Sequence, residues 1–228
     1  MSFYNRFEVG LSHSLVNATK ATGAGVVNFQ ILTAKLQLIK ESQLFPLMPA
    51  ISAGILSKNT DNSPKIPTFV PVLGGSKLYP NNSGEDYYIV ASENFYKNVG
   101  LPLPVSVTIG ERWTKGYLIG FAGYGTQRAS FPFGSIGIGL PAPSFLSGYL
   151  GLGVEYLGSY NVGYDRLGRI MKNHSIYGVS LAWMPTPKFT VVVAYLNTGP
   201  TNLYEALASG VNAESLGAGW GVSLQYQF

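Results

Sequence analysis

The sequence predicts an all-β protein, an antiparallel up-and-down β-barrel of about ten strands, with eight or twelve as the alternative counts. Three observations predict it. Residues 220–228 alternate strictly, with Trp220, Val222, Leu224, Tyr226 and Phe228 on one parity and Gly221, Ser223, Gln225 and Gln227 on the other, the pattern of a strand with one apolar face. The same alternation recurs along the chain. The connections between the predicted strands are alternately short and long, as in a sheet whose two ends differ.

The whole chain, 1–228, reads as one domain. Phe7, Val9 and Leu11 alternate with Arg6, Glu8 and Gly10 in a first strand over about 3–16. Turn chemistry at 17–23 leads to a second strand over Val26–Lys40. Its apolar parity slips between Ile31 and Leu32, which predicts a bulge there. Leu47–Ser57 is a third strand, and residues 58–84 form a long polar loop rich in Pro and Gly. Tyr87–Phe95 and Leu103–Gly110 follow as strands four and five. Trp113-Thr114-Lys115-Gly116 reads as a turn into a sixth, Tyr117–Tyr124.

Residues 125–146 are broken by Pro132, Pro141 and Pro143 and read as an irregular or plug-like segment. Strand seven carries Leu150, Leu152, Val154 and Tyr156, and a polar loop follows over 158–173. Strand eight carries Tyr177, Val179, Leu181 and Trp183. Pro185–Lys188 turns into strand nine, Phe189–Leu196, and a further long loop, 198–215, leads to the last strand. Ten strands put both termini at one end with the short connections 41–46, 97–101 and 185–188. The long ones lie at the other end, and only 125–146 breaks that rule.

Composition says what the barrel faces. Charged residues are 11% of the chain, against about a quarter in a typical soluble domain. A soluble barrel carries Lys and Glu on its outer wall, whereas the less apolar parity here is mostly Gly, Ser, Thr, Ala and Gln. That favours a wall facing lipid. The uncharged run between Arg128 and Glu155 is long enough for a membrane helix, but its Pro and Gly density rules one out. The fold class expected is therefore a transmembrane β-barrel, with its backbone groups paired in a closed sheet. Aromatic residues near strand ends, Trp113, Tyr117, Tyr156, Trp183, Phe189 and Tyr195 among them, are the candidates for interfacial girdles. The net charge of +4 is dispersed, which speaks against nucleic-acid binding. Zero Cys excludes disulfides and thiolate metal sites and suits passage through an oxidising periplasm. Met1-Ser2-Phe3 leads straight into patterned sequence, so the chain is expected to be a mature form whose signal has been removed.

The closing strand, ending on Phe228, resembles those of Gram-negative outer-membrane β-barrels. The resemblance implies an outer-membrane location and recognition of Trp220, Tyr226 and Phe228 by the barrel-assembly machinery. Phe45-Pro46-Leu47 through Gly54-Ile55, Tyr88–Ser92, Val107–Gly110, Leu152–Tyr156 and Tyr177–Trp183 are also similar to segments of YjbH-type barrels associated with exopolysaccharide secretion. Glu93 and Leu157 stand where that pattern has Lys and Asp. This second resemblance implies a polysaccharide or small-solute export module.

No catalytic motif of metalloprotease, serine-hydrolase or phosphate-loop type occurs, and no metal or other cofactor is expected. The two histidines, His13 and His174, stand beside serines near the predicted outer rim and read as solvated polar residues rather than bases. Arg6, Glu8 and Glu155 fall on inward parities, with Arg112 near a rim. In a lumen as narrow as that of ten strands they are expected to pair as an Arg–Glu network that stabilises the wall. The expected function is that of a non-catalytic outer-membrane envelope or small-pore component in contact with lipid. A polysaccharide or small-solute channel and a soluble ligand-binding barrel are the rivals.

Overall fold

The computed structural model describes residues 2–3, 6–17, 26–61, 81–96, 100–116, 120, 124–164, 170–197 and 218–226. Its strands are β1 (Ser2–Phe3), β2 (Phe7–Asn17), β3 (Val26–Ile39), β4 (Ala50–Thr60), β5 (Ser83–Phe95), β6 (Val105–Gly116) and β7 (Tyr124–Pro141). They continue with β8 (Tyr149–Leu157), β9 (Tyr160–Tyr164), β10 (Ile170–Asn173), β11 (Ile176–Thr186), β12 (Phe189–Asn197) and β13 (Ala218–Tyr226). One antiparallel sheet of 11 strands runs β1-β2-β3-β4-β5-β6-β7-β8-β11-β12-β13, and β9 and β10 pair separately. Every neighbour in the large sheet is also the next large-sheet strand in sequence, so the architecture is up-and-down.

β1 is a two-residue return on the start of β2, pairing Ser2 with Glu8 and Phe3 with Phe7. The other ten strands of the sheet have 9 to 18 residues, and about nine extended residues suffice to cross a bilayer. The sheet is not closed: its described pairings end at β1 and at β13, and no ladder joins β13 to β2.

The registers sort side chains onto two faces. On β8 and β11, Leu150, Leu152, Val154 and Tyr156 meet Trp183, Leu181, Val179 and Tyr177. Gly151, Gly153 and Glu155 meet Ala182, Ser180 and Gly178 on the other face. Followed around the sheet, the apolar face is the exposed one. Leu11 is 81% exposed, Ile109 65% and Trp220 76%. The polar, small-residue face holds most of what is buried, including Asp86, Thr114 and Phe131. These are called the outward and inward faces below.

Four expectations are corrected. The segment 125–146 is not irregular, because most of it is strand β7. Pro132 is tolerated because its carbonyl accepts from Gly158 N at 2.7 Å, just past the end of β8. Its nitrogen points to the same side, where no ladder partner is waiting. The supposed turn at Trp113–Gly116 is the end of β6, so no strand begins there. Tyr117–Tyr124 reaches the described residues only at Gly120 and Tyr124. No bulge occurs at 31–32: β3 pairs with β2 and β4 straight through, and the shift in register lies between Gln37 and Ile39. Phe29 and Ile31 are simply inward residues. Finally, the stretch read as a loop over 158–173 contains the β9–β10 hairpin.

These changes repair the one exception in the pattern of connections. With β7 in place, the connections 40–49, 96–104, 142–148 and 187–188 all lie at one end of the sheet, with the N-terminal β1 and the end of β13. The strand ends that flank 18–25, 61–82, 117–123, 158–175 and 198–217 lie at the other. We call these the turn end and the loop end. At the turn end, Gly148 has φ +89°, a conformation that favours glycine, in the tight return from β7 to β8. The 40–49 connection folds back on the sheet, where Glu41 accepts from the backbone N and the Nδ2 of Asn94, both at 2.9 Å.

Candidate functional site

The inward face near the loop end carries a compact charged cluster. Antiparallel pairing puts Leu56 opposite Asp86, Lys58 opposite Gly84 and Tyr88 opposite Arg112. Lys58, Asp86, Arg112 and Thr114 therefore share one face on three adjacent strands. Asp86 is the hub. Lys58 Nζ lies 2.7 Å from its Oδ2, and the side chains are 1% and 0% exposed. Arg112 donates to the same oxygen through Nη2, and through Nε at 3.0 Å. Thr114 Oγ1 donates to the other carboxylate oxygen at 2.5 Å and accepts from Gly116 N. Charges this far from water persist only when paired and hydrogen-bonded. One carboxylate oxygen, Asp86 Oδ2, thus contacts both cations.

Aromatic rings cover the cluster. Lys58 Nζ stands 5.9 Å from the centre of the Phe29 ring, and the Arg112 guanidinium stands 5.8 Å from that of Phe131. Tyr160, on β9, stacks on Phe131 with ring centroids 4.5 Å apart and donates its hydroxyl to Gly116 O at 2.9 Å. The start of β9 thus lies over the inward face. Tyr124, 1% exposed, completes the roof. Its ring occupies the space a side chain at Gly84 would need, so only glycine fits there.

Towards the turn end the inward face opens into two cavities. One, of about 340 Å³, is bordered by Tyr88, Thr108, Arg112, Ser135 and Glu155. The other, of about 530 Å³, is bordered by Asn94, Ser106, Gly137, Gly153, Ser180 and Met184.

Of the inward charges expected from sequence, Glu8 lies 3.9 Å from Lys35 across the β2–β3 ladder. Arg112 joins the cluster and Glu155 lines the cavity beside it. Arg6 sits just before β2, and its carbonyl accepts from Gln37 N. The expected Arg–Glu network takes another form: the ion pairs described are Lys35–Glu8, Lys58–Asp86 and Arg112–Asp86. Lys58, Asp86 and Thr114 were not legible as site residues. The signal available was parity alone, since Lys58 and Asp86 continue the inward positions of Gly54 and Tyr88.

Of the aromatic candidates, Trp113, Tyr156, Tyr195 and Phe189 stand in directly opposed aromatic pairs on the outward face. Near the loop end Tyr87 faces Trp113, Tyr156 faces Tyr177, and Tyr195 faces Trp220. Near the turn end Phe189 faces Tyr226, and Trp183 donates Nε1 to Ser147 O at 2.9 Å. Tyr117 and Phe228 lie outside the described residues. His13 is outward while Ser12 and Ser14 are inward, so strand alternation separates them. Ser175, beside His174, is within 3.1 Å of Tyr156 Oη. Among the described residues no three His, Cys, Asp or Glu gather as metal ligands, and no helix is long and apolar enough to cross a membrane.

The family model described as "Protein of unknown function (DUF3034)" matches residues 1–209, and the chain belongs to that family. No curated protein and no solved structure matches it.

Proposed function

We propose that the chain is an integral β-barrel of the bacterial outer membrane, in which β2 and β13 meet to close the sheet. It serves there as an envelope component without a catalytic role. The observation that carries this reading is the outward face. On β8 and β11 four alternate residues, such as Leu150 to Tyr156, make an apolar band about 20 Å long, and opposed aromatic pairs stand near the ends of the outward face. In water, so large an exposed apolar surface would drive association. Facing lipid, it is the surface such a barrel needs, with aromatic girdles at the two interfaces.

Closure has support in direction and number. Ten long strands make β2 and β13 antiparallel to each other, both present apolar residues outward, β13 is a sheet edge, and β1 pairs on the free side of β2 only at Phe7 and Glu8. Edges left open in hydrocarbon would strand backbone donors and acceptors. The strand ends that flank the long connections then lie on the outer side, and β2 begins and β13 ends on the periplasmic side. From that side the last strand can meet the assembly machinery.

Refolding into detergent or lipid followed by electrophoresis with and without heating tests the reading. A folded barrel migrates faster unheated, so a heat-dependent shift is expected. A chain that stays soluble without detergent and shows no shift would instead be a soluble ligand-binding barrel. The inward cavities favour a second role for the same barrel, passage of small solutes. Polysaccharide export, implied by the YjbH-type resemblance, is the larger-solute version of that role. Single-channel recording tests both.

A further inference from the structure

Two turn-end connections carry large apolar side chains where hairpin returns ordinarily use Gly, Asn, Asp or Ser. Neither 42–49 nor 142–148 contains a charged residue. Leu44 is 72% exposed, Phe45 58% and Phe145 82%. The first of these connections is tightly made. Ser42 N donates to Met48 O at 2.8 Å, Met48 N to Phe45 O at 3.2 Å, and Lys40 N to Gln43 Oε1 at 2.9 Å, and Met48 is buried. Ser42 and Leu47 hold φ of +55° and +63°, a region unfavourable to residues with a Cβ. A strained, hydrogen-bonded return that buries its methionine while turning Leu44 and Phe45 out is built to present them.

We propose that the 40–49 and 142–148 connections are lipid anchors, which seat Leu44, Phe45 and Phe145 at the headgroup boundary of the phospholipid leaflet on the turn-end side. This rests on the membrane-barrel reading. Both connections are tied to the outward wall. Glu41 holds the backbone N and the Nδ2 of Asn94 and lies beside Glu93, an outward residue of β5 that is nevertheless buried. Trp183, outward on β11, holds Ser147 O through its Nε1 and so draws 142–148 to the same side. The exposed tips therefore extend the apolar outward wall beyond the strands. Lipid is the occupant this continuity selects, because a surface already bathed in hydrocarbon runs on into uncharged Leu and Phe at the depth where such side chains anchor to a leaflet. Lys40 and Lys188, both exposed at the same end of the sheet, suit the lipid phosphates.

The test uses the absence of native cysteine. Phe45→Cys, Phe145→Cys and, as a mid-strand outward control, Leu181→Cys are each labelled with nitrobenzoxadiazole. The full chain is refolded into phosphatidylethanolamine–phosphatidylglycerol vesicles that carry a nitroxide either near the headgroup or near the end of the acyl chain. The labels at 45 and 145 are expected to lose fluorescence, more to the shallow nitroxide than to the deep one, and the label at 181 more to the deep one. Labels at 45 and 145 that neither nitroxide dims, beside a dimmed label at 181, overturn the anchors and leave the barrel standing, with these tips in water or against a protein. Stronger loss to the deep nitroxide at 45 and 145 overturns their place at the boundary. A label at 181 that neither nitroxide dims overturns the barrel reading, and the anchors fall with it.

Discussion

Lys58 and Asp86 meet inside the sheet at 2.7 Å, with their side chains 1% and 0% exposed, although 28 positions separate them in the chain. The pair forms because β4 and β5 turn their inward positions towards the same space, and Arg112 and Thr114 of β6 complete it.

Removing the hub should therefore be costly. Asp86→Ala leaves Lys58 and Arg112 buried without their shared carboxylate, and losing one partner of a buried ion pair typically costs about 3–5 kcal/mol. Urea unfolding of the refolded protein should show a loss of that order. A change within experimental error would mean that water reaches the cluster.

The two faces should answer a charge differently. Leu181 stands outward in mid-strand on β11, opposite Leu152 and Val193. In a bilayer, Leu181→Lys should cost about 2–4 kcal/mol, the penalty for lysine near the midplane on a lipid-facing wall. The inward neighbour Ser180 borders the larger cavity, so Ser180→Lys should be much milder. Equal effects, measured as refolding midpoints in lipid vesicles, would deny the asymmetry.

Closure can be trapped chemically, because the chain has no cysteine of its own. Pairs of cysteines placed on outward positions of β2 and β13, such as Leu11 with Val222, should include a register that oxidises to a disulfide. Such a bond forms only when the Cα atoms come within about 7 Å. If every register across the two strands stays reduced while a control pair across β12–β13 oxidises, the sheet is open.

Phe228, two positions after β13 in the sequence, is expected to act in assembly. Its deletion should lower the amount inserted in the outer membrane of cells and leave refolding into detergent unchanged. Wild-type insertion of the deletion variant would remove that role.

Much of the fold was legible because alternation is a local property. β8, β11 and β13 follow directly from Leu150–Tyr156, Tyr177–Trp183 and Trp220–Tyr226. β7 was obscured because its prolines and glycines imitate a broken segment, and the reason Pro132 is allowed lies in where β8 ends. The β9–β10 hairpin was hidden in a stretch that reads as polar connection. The site was less visible than the fold. Lys58 opens a polar run and looks like the start of a loop, and Asp86 carries no motif. What joins them to Arg112 is the register of three strands, which no single segment contains. Parity groups Glu8 and Glu155 on one face of the sheet, whereas the partners of Glu8 and Arg112 depend on tertiary pairing.

The most direct measurement uses the three tryptophans of the chain. Trp113, Trp183 and Trp220 all stand on the outward face, Trp113 and Trp220 near the loop end and Trp183 near the turn end. Protein refolded into vesicles containing brominated lipid should therefore lose tryptophan fluorescence, most strongly with bromine placed near the headgroups. Fluorescence equal to that in unbrominated vesicles would contradict a lipid-facing outward wall.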